Sequence, residues 1–197
     1  MNSNDRLGEF LAIVFRSKSI NRWGLMRNLS YETLSEHCYE VSVLSHALSI
    51  IGNTYFNKSY NEYKISTAAL YHDMSEILTG DLPTPVKYYN SEIKDAYKKI
   101  EKTAENILLD LLPSEIRGKY NVLFDLTEEE IAIIKAADKI CAYIKCLNEL
   151  SGGNNEFIAA ERTIKSQIDD LNSEEGKYFV ENYLSAFTKS LDDITLK

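Results

Sequence analysis

The chain is 197 residues long, 44% hydrophobic and 26% charged, with a formal net charge of −8. No apolar run approaches the ~20 residues that would span a bilayer, and the acidic balance argues against broad binding to a nucleic-acid polymer. With three prolines and eight glycines, little material is left for strand-rich turns, so one helical domain over residues 1–197 is expected.

The opening stretch, MNSNDRLGEFLAIVF, lacks the basic segment and small-residue cleavage site of a secretory signal, so cytoplasmic residence is expected. A helix is predicted over about residues 5 to 17. Between residues 10 and 31 there are four basic residues (Arg16, Lys18, Arg22, Arg27) and no acid. That segment suits either a solvated basic face or the reception of an anionic ligand. A second helix, TLSEHCYEVSVLSHALSIIG, opens with Thr33 and Glu36 in capping-box spacing and is expected to close at Gly52. A third, YKISTAALYHDMSEILTG, is expected to end at Gly80. Helices follow over about 91 to 112, 155 to 171 and 174 to 192. Between them, Thr127 and Glu130 open a long helix that stops at Gly152 and Gly153 and is apolar on more than one side, as a central helix should be. Strand alternation is weak throughout, so the fold class is all-α. Cys38, Cys141 and Cys146 form no C-x-x-C motif and read as reduced packing residues.

The dipeptide His72-Asp73 is a weak signal by itself. On a continuous helix, Glu76 would share a face with His72 and neighbour Asp73, so three ionisable groups would cluster beside apolar residues. Buried carboxylates need partners. Asp138 falls on the stripe of Ile134 and Cys141, where either an ion pair with Lys135 or a ligand role would satisfy it. His37 is in register with Val41, Leu44 and Leu48, whereas His46 is nine steps of ~100° further on and faces away. His37, His72, Asp73 and Asp138 would form a set of nitrogen and oxygen donors with two negative charges. Such a set suits Mn²⁺, Co²⁺, Fe²⁺, Ni²⁺ or Zn²⁺, with positions left for water and a substrate oxygen.

The order His…His-Asp…Asp on successive helices is that of the HD-domain phosphohydrolases. The segments INRWGLMRNL, SEH, YHDMSEILTGDLPTPVKYYNSEI, KAADKICAYIKCLNEL and GNNEF resemble the bacterial HD-domain 5′-deoxynucleotidases over about residues 8 to 192. The resemblance implies an HD-type helical bundle, a homodimer, and one divalent ion, Co²⁺ or Mn²⁺ foremost and Fe²⁺, Ni²⁺, Zn²⁺ or Cu²⁺ as alternatives. It implies hydrolysis of 2′-deoxyribonucleoside 5′-monophosphates by in-line attack of a metal-bound water. His37, His72, Asp73 and Asp138 would hold the ion, and Glu76 would attend the water. Arg22 would orient the phosphate, with Trp23 beside it. Asp81, Leu82, Pro83 and Thr84 would meet the substrate, and either Asp81 or water would protonate the leaving oxygen. His37, Asp73 and Asp138 would also border the bound nucleotide.

Two kinds of alternative stand beside this expectation. One is another HD chemistry, such as a triphosphohydrolase, a cyclic-dinucleotide phosphodiesterase or a di-iron oxygenase. The di-metal versions generally need further histidines, and only His46 is left. The other is a nucleotide-binding regulator without turnover.

Overall fold

The computed structural model describes residues 6–87 and 89–194. Residue 5, where the first helix was expected to begin, lies outside them. The described residues are helical, with no strand among them and a single isolated β-bridge between Asn21 and Thr33. They fall into two compact units. The first comprises residues 6–26, 31–39, 70–87 and 89–126, and the second residues 27–30, 40–69 and 127–194.

The first unit begins with α1 (Arg6–Val14), which a 3₁₀ turn over Phe15–Ser19 extends. The chain then runs extended through Ile20 and pairs with the segment before α2 (Leu34–Tyr55). The Arg22 amide donates to the Glu32 carbonyl (2.9 Å), and the Leu34 amide donates to that of Ile20 (2.9 Å). Helix α2 starts as its capping box dictates: the Thr33 amide donates to the Glu36 carboxylate (2.8 Å) and the Glu36 amide to the Thr33 hydroxyl (3.3 Å). Its first turn belongs to this unit. The short α4 (Glu76–Thr79) and α5 (Thr84–Lys87) follow, then α6 (Ser91–Asp110) and α7 (Ser114–Asn121). Helix α6 packs against α4, α5 and α7. The core gathers Phe10, Met74, Leu108, Leu109 and Leu112, all buried.

The second unit holds the rest of α2, α3 (Glu62–Ala69), α8 (Glu128–Ser151), α9 (Ile158–Asp169) and α10 (Glu174–Asn182). Helix α8 is central to it, packing on α3, α9 and α10, with Ile133, Ala136, Ala137 and Ile140 almost without exposure. Its capping box is complete, with Thr127 and Glu130 each accepting the other's amide.

Two expectations are corrected here. Helix α2 does not stop at Gly52 but continues to Tyr55. Gly52 serves close approach instead, because a Cβ there would stand 2.6 Å from the Tyr60 ring. The helix predicted up to Gly80 is not continuous either. Helix α3 ends at Ala69 and α4 begins at Glu76, and residues 70–75 form turns closed by shorter bonds, Met74 to Tyr71 (3.0 Å) and Glu76 to Asp73 (2.9 Å). Gly80 ends α4 at φ 76, a conformation that glycine adopts without cost. Residues 113–126, where no helix was expected, contain α7.

Candidate functional site

The break between α3 and α4 shapes the site. In bonds that close over three residues, side chains at i and i+3 come into line. The Glu76 amide donates to the Asp73 carbonyl at 2.9 Å, and the Asp73 charge acts on the Glu76 carboxyl. The apolar face expected around these residues is only partly realised: Ile65, Ala68 and Ala69 are buried, but Leu70 and Leu78 are exposed.

Three of the four expected ligands, all in the first unit, converge. His37 is wholly buried, as its register with Val41, Leu44 and Leu48 predicts. Its ring lies 5.4 Å from that of His72, centroid to centroid. Asp73 Oδ2 stands 3.1 Å from His72 Nε2 and 3.8 Å from His37 Nε2. Asp138 lies on α8 in the second unit, half-buried between Ala137 and Lys139. His46, also in the second unit, sets its ring 6.1 Å from that of Tyr63.

The donor chemistry fits a divalent cation. His37 Nδ1 is 3.2 Å from Glu32 Oε1, near enough to share a proton with it. That tautomer turns the Nε2 lone pair toward the Asp73 carboxylate. Two lone-pair donors facing one another need a positive charge between them. A proton on His72 supplies one: burial opposes it, but the Asp73 charge and hydrogen bond push the imidazole well above its ordinary pKa. Asp73 shifts the opposite way. Burial would raise its pKa, yet His72, His37 and Arg22 hold it well below the usual carboxylate range. A divalent ion in the proton's place would meet the same electrostatic demand.

Arg22 reaches Asp73 Oδ2 at 3.4 Å through Nη1 and Glu32 Oε1 at 3.6 Å through Nε. Beside it Trp23 takes a left-handed backbone (φ 57), a costly conformation for so large a residue. Its indole N–H donates to Glu32 Oε2 at 2.8 Å. Trp23 is half-buried, and core packing does not account for it.

Glu76 is 4% exposed. Its Oε1 lies 3.7 Å from Lys87 Nζ, while Oε2 is buried with no hydrogen-bond partner among the described residues. Burial, reinforced by the charges of Asp73 and Asp81, pushes its pKa up to about 8 against the partial opposition of Lys87 and Arg22. Asp81 is half-buried, and its pKa is raised mainly by burial, with Arg22 opposing. Leu82 and Pro83 are also half-buried, and Thr84 is exposed at the start of α5.

Sequence reasoning missed two residues. Glu32 is buried and touches Arg22, Trp23 and His37, but it precedes α2 and no helical period marks it. Lys87 follows the Asp81–Thr84 turn, and no helical period links it to Glu76. The turn brings it back between Glu76 and Glu101, 2.7 Å from the latter, with its ammonium over the Tyr97 ring.

Comparison with known proteins agrees with the motifs. The family model described as 5′-deoxynucleotidase YfbR-like matches residues 9–187. This chain belongs to that family. A 5′-deoxynucleotidase of Erwinia tasmaniensis is 49% identical over 189 residues, 94% of this chain and 96% of the relative. One from Yersinia pseudotuberculosis is 47% identical over 193 residues, covering 96% and 98%. Among solved structures, an HD-domain phosphohydrolase from Listeria innocua has a TM-score of 0.79 at 22% identity, covering 92% of this chain and 89% of its own. The cyanophage S-2L HD phosphohydrolase bound to dA and one catalytic Zn²⁺ ion has a TM-score of 0.62 at 19% identity, covering 89% and 96%. The two structures show the HD fold, and the family model places the chain within the YfbR-like family.

Proposed function

We propose that this YfbR-like protein hydrolyses 2′-deoxyribonucleoside 5′-monophosphates to deoxynucleoside and phosphate. 5′-Deoxynucleotidase is the activity for which the Erwinia and Yersinia relatives are named. The observation that carries the reading is the convergence of His37, His72 and Asp73 under Arg22. Asp138 is proposed as the fourth ligand of one divalent ion, Co²⁺ or Mn²⁺ foremost. An ion there would supply Lewis-acid chemistry, offsetting phosphate charge and lowering the pKa of water.

The remaining steps belong to side chains. Arg22, held between two carboxylates, is already oriented to bind phosphate oxygens and to offset charge as it builds on them. Glu76, with a pKa pushed up to about 8, can take a proton near neutral pH and so move the proton of the attacking water. The water enters in line with the departing 5′-oxygen, and Asp81 is proposed to protonate that oxygen. Trp23 and the turn of Asp81, Leu82, Pro83 and Thr84 form the proposed wall against a ribose 2′-hydroxyl. His37, Asp73 and Asp138 would border the nucleotide as well. Homodimeric assembly and cytoplasmic residence complete the proposal. No helix among the described residues is long and apolar enough to cross a membrane.

The test is an assay on metal-stripped protein. Phosphate release from deoxynucleoside monophosphates should return only with Co²⁺ or Mn²⁺, and ribonucleotides and triphosphates should be poorer substrates. Full activity in chelator would defeat the metal assignment. Tight deoxynucleotide binding without release at any metal would make the chain a regulator.

A further inference from the structure

Glu32 is the point where three functional elements meet. Its Oε1 faces His37 Nδ1 (3.2 Å) and Arg22 Nε (3.6 Å), its Oε2 accepts the Trp23 indole N–H (2.8 Å), and its backbone carbonyl accepts the Arg22 amide (2.9 Å). The residue is 8% exposed. A buried carboxylate is retained only with such partners, and these three come from a candidate ligand, a candidate phosphate grip and a strained aromatic wall. Burial alone would raise its pKa, but His37, Arg22 and Trp23 together bring it below the ordinary value.

We propose that Glu32 is a positioning residue that couples metal loading to nucleotide selection, because one carboxylate sets the donor state of His37 and the placement of both Arg22 and Trp23. The inference rests on the activity proposed above. A carboxylate behind a ligating histidine fixes which ring nitrogen meets the ion. Here the same carboxylate holds Trp23 in a backbone conformation that it would otherwise leave. An ion that draws on His37 therefore changes the charge which Trp23 and Arg22 feel.

Glu32→Gln tests this. The amide is nearly the same shape but offers one acceptor oxygen in place of two, so it cannot serve His37 and Trp23 together. Trp23 is the only tryptophan, and its fluorescence reports on this bond. Zn²⁺ titrated into metal-free wild type is expected to shift the Trp23 emission, and Glu32→Gln is expected to lose that response. The variant should keep the wild-type circular dichroism spectrum, bind Zn²⁺ about tenfold more weakly, and show a smaller preference for deoxynucleotides over ribonucleotides in kcat/KM. Unchanged Zn²⁺ affinity, or an unchanged preference, overturns the proposal. So does a wild type whose emission ignores Zn²⁺. Trp23→Phe removes the donor without touching Glu32 and serves if Glu32→Gln does not fold. It should weaken the deoxynucleotide preference and also shift Zn²⁺ affinity, because a bond that responds to the ion must act back on the ion, and an unchanged Zn²⁺ affinity overturns the coupling. Should wild type release no phosphate from any nucleotide, the activity reading fails, and the Zn²⁺ and fluorescence responses still decide the coupling.

Discussion

Two buried glutamates, one in each unit, show how the same side chain is put to opposite uses. Glu149 on α8 accepts the backbone amides of Leu29 (2.9 Å) and Ser30 (3.1 Å) and the Asn154 side-chain amide (2.7 Å), and it is paired with Lys145. Burial would raise its pKa, but these donors override it and bring the pKa down to about 2. Glu76 is buried to a similar degree and goes up to about 8. It has one lysine at 3.7 Å, one oxygen without a partner, and the charges of Asp73 and Asp81 nearby. Burial opposes the charge of both, most strongly at Glu76, where two neighbouring carboxylates add to it. At Glu149 the donors outweigh it, and at Glu76 they do not. A fully satisfied carboxylate is a clamp, here holding residues 29 and 30 to α8. A half-satisfied one is a proton carrier kept at the cost of stability.

The comparison can be broken most forcefully at Glu76. Glu76→Gln should lower kcat by about 10²- to 10⁴-fold, the usual range for a lost acid–base group, while metal stays bound. Emptying of the metal site, read by chelator competition, would make Glu76 a ligand instead.

Next in size is Glu149→Leu. It strands two backbone amides and leaves the Lys145 ammonium without its carboxylate, which should cost about 3–5 kcal/mol, read in urea unfolding. The smaller Lys145→Met leaves Glu149 its three neutral donors and should cost about 1–3 kcal/mol. If the two variants are equally unstable, the amides contribute nothing and the clamp reduces to an ion pair.

Dependence on pH then separates the two residues by sign. Glu149 keeps its charge in the native state below the ordinary carboxylate pKa. Its contribution is thus complete above ~4.5 and is lost as pH falls toward about 2. Glu76 retains its proton in the folded state after the unfolded chain has ionised. The native form binds more protons between ~4.5 and about 8, so stability from this group falls as pH rises through that window. Metal-free Glu76→Gln should therefore melt ~2–4 °C above wild type at pH 8 and show no gain at pH 4. The smallest effect is expected from Lys87→Met. Removing the cation that opposes burial should move the acid limb of the kcat profile upward in pH, with less than about a tenfold change in kcat at its optimum.

Much of this was legible in the chain. The capping boxes at Thr33 and Thr127 act over three residues, and both form as read. The all-α class followed from the same local signals. The inward turn of His37 follows from helical period alone. Residues 70–75 are helical in composition, and the shorter turns there become visible only in the fold. Glu32 carries no local signal, since its partners lie before it at Arg22 and Trp23 and after it at His37, joined by a backbone pairing outside any helix.

By itself the sequence determined which donors exist and in what order, because chemical identity and helical period are properties of the chain. It also determined where α2 and α8 begin, through hydrogen bonds between near neighbours. Only the tertiary structure decided that the helix breaks between Ala69 and Glu76, that Lys87 returns across the turn, and that Glu32 ties three side chains together. Those outcomes depend on how the backbone turns between helices and on how many donors reach a buried charge. Neither quantity is encoded in any local stretch.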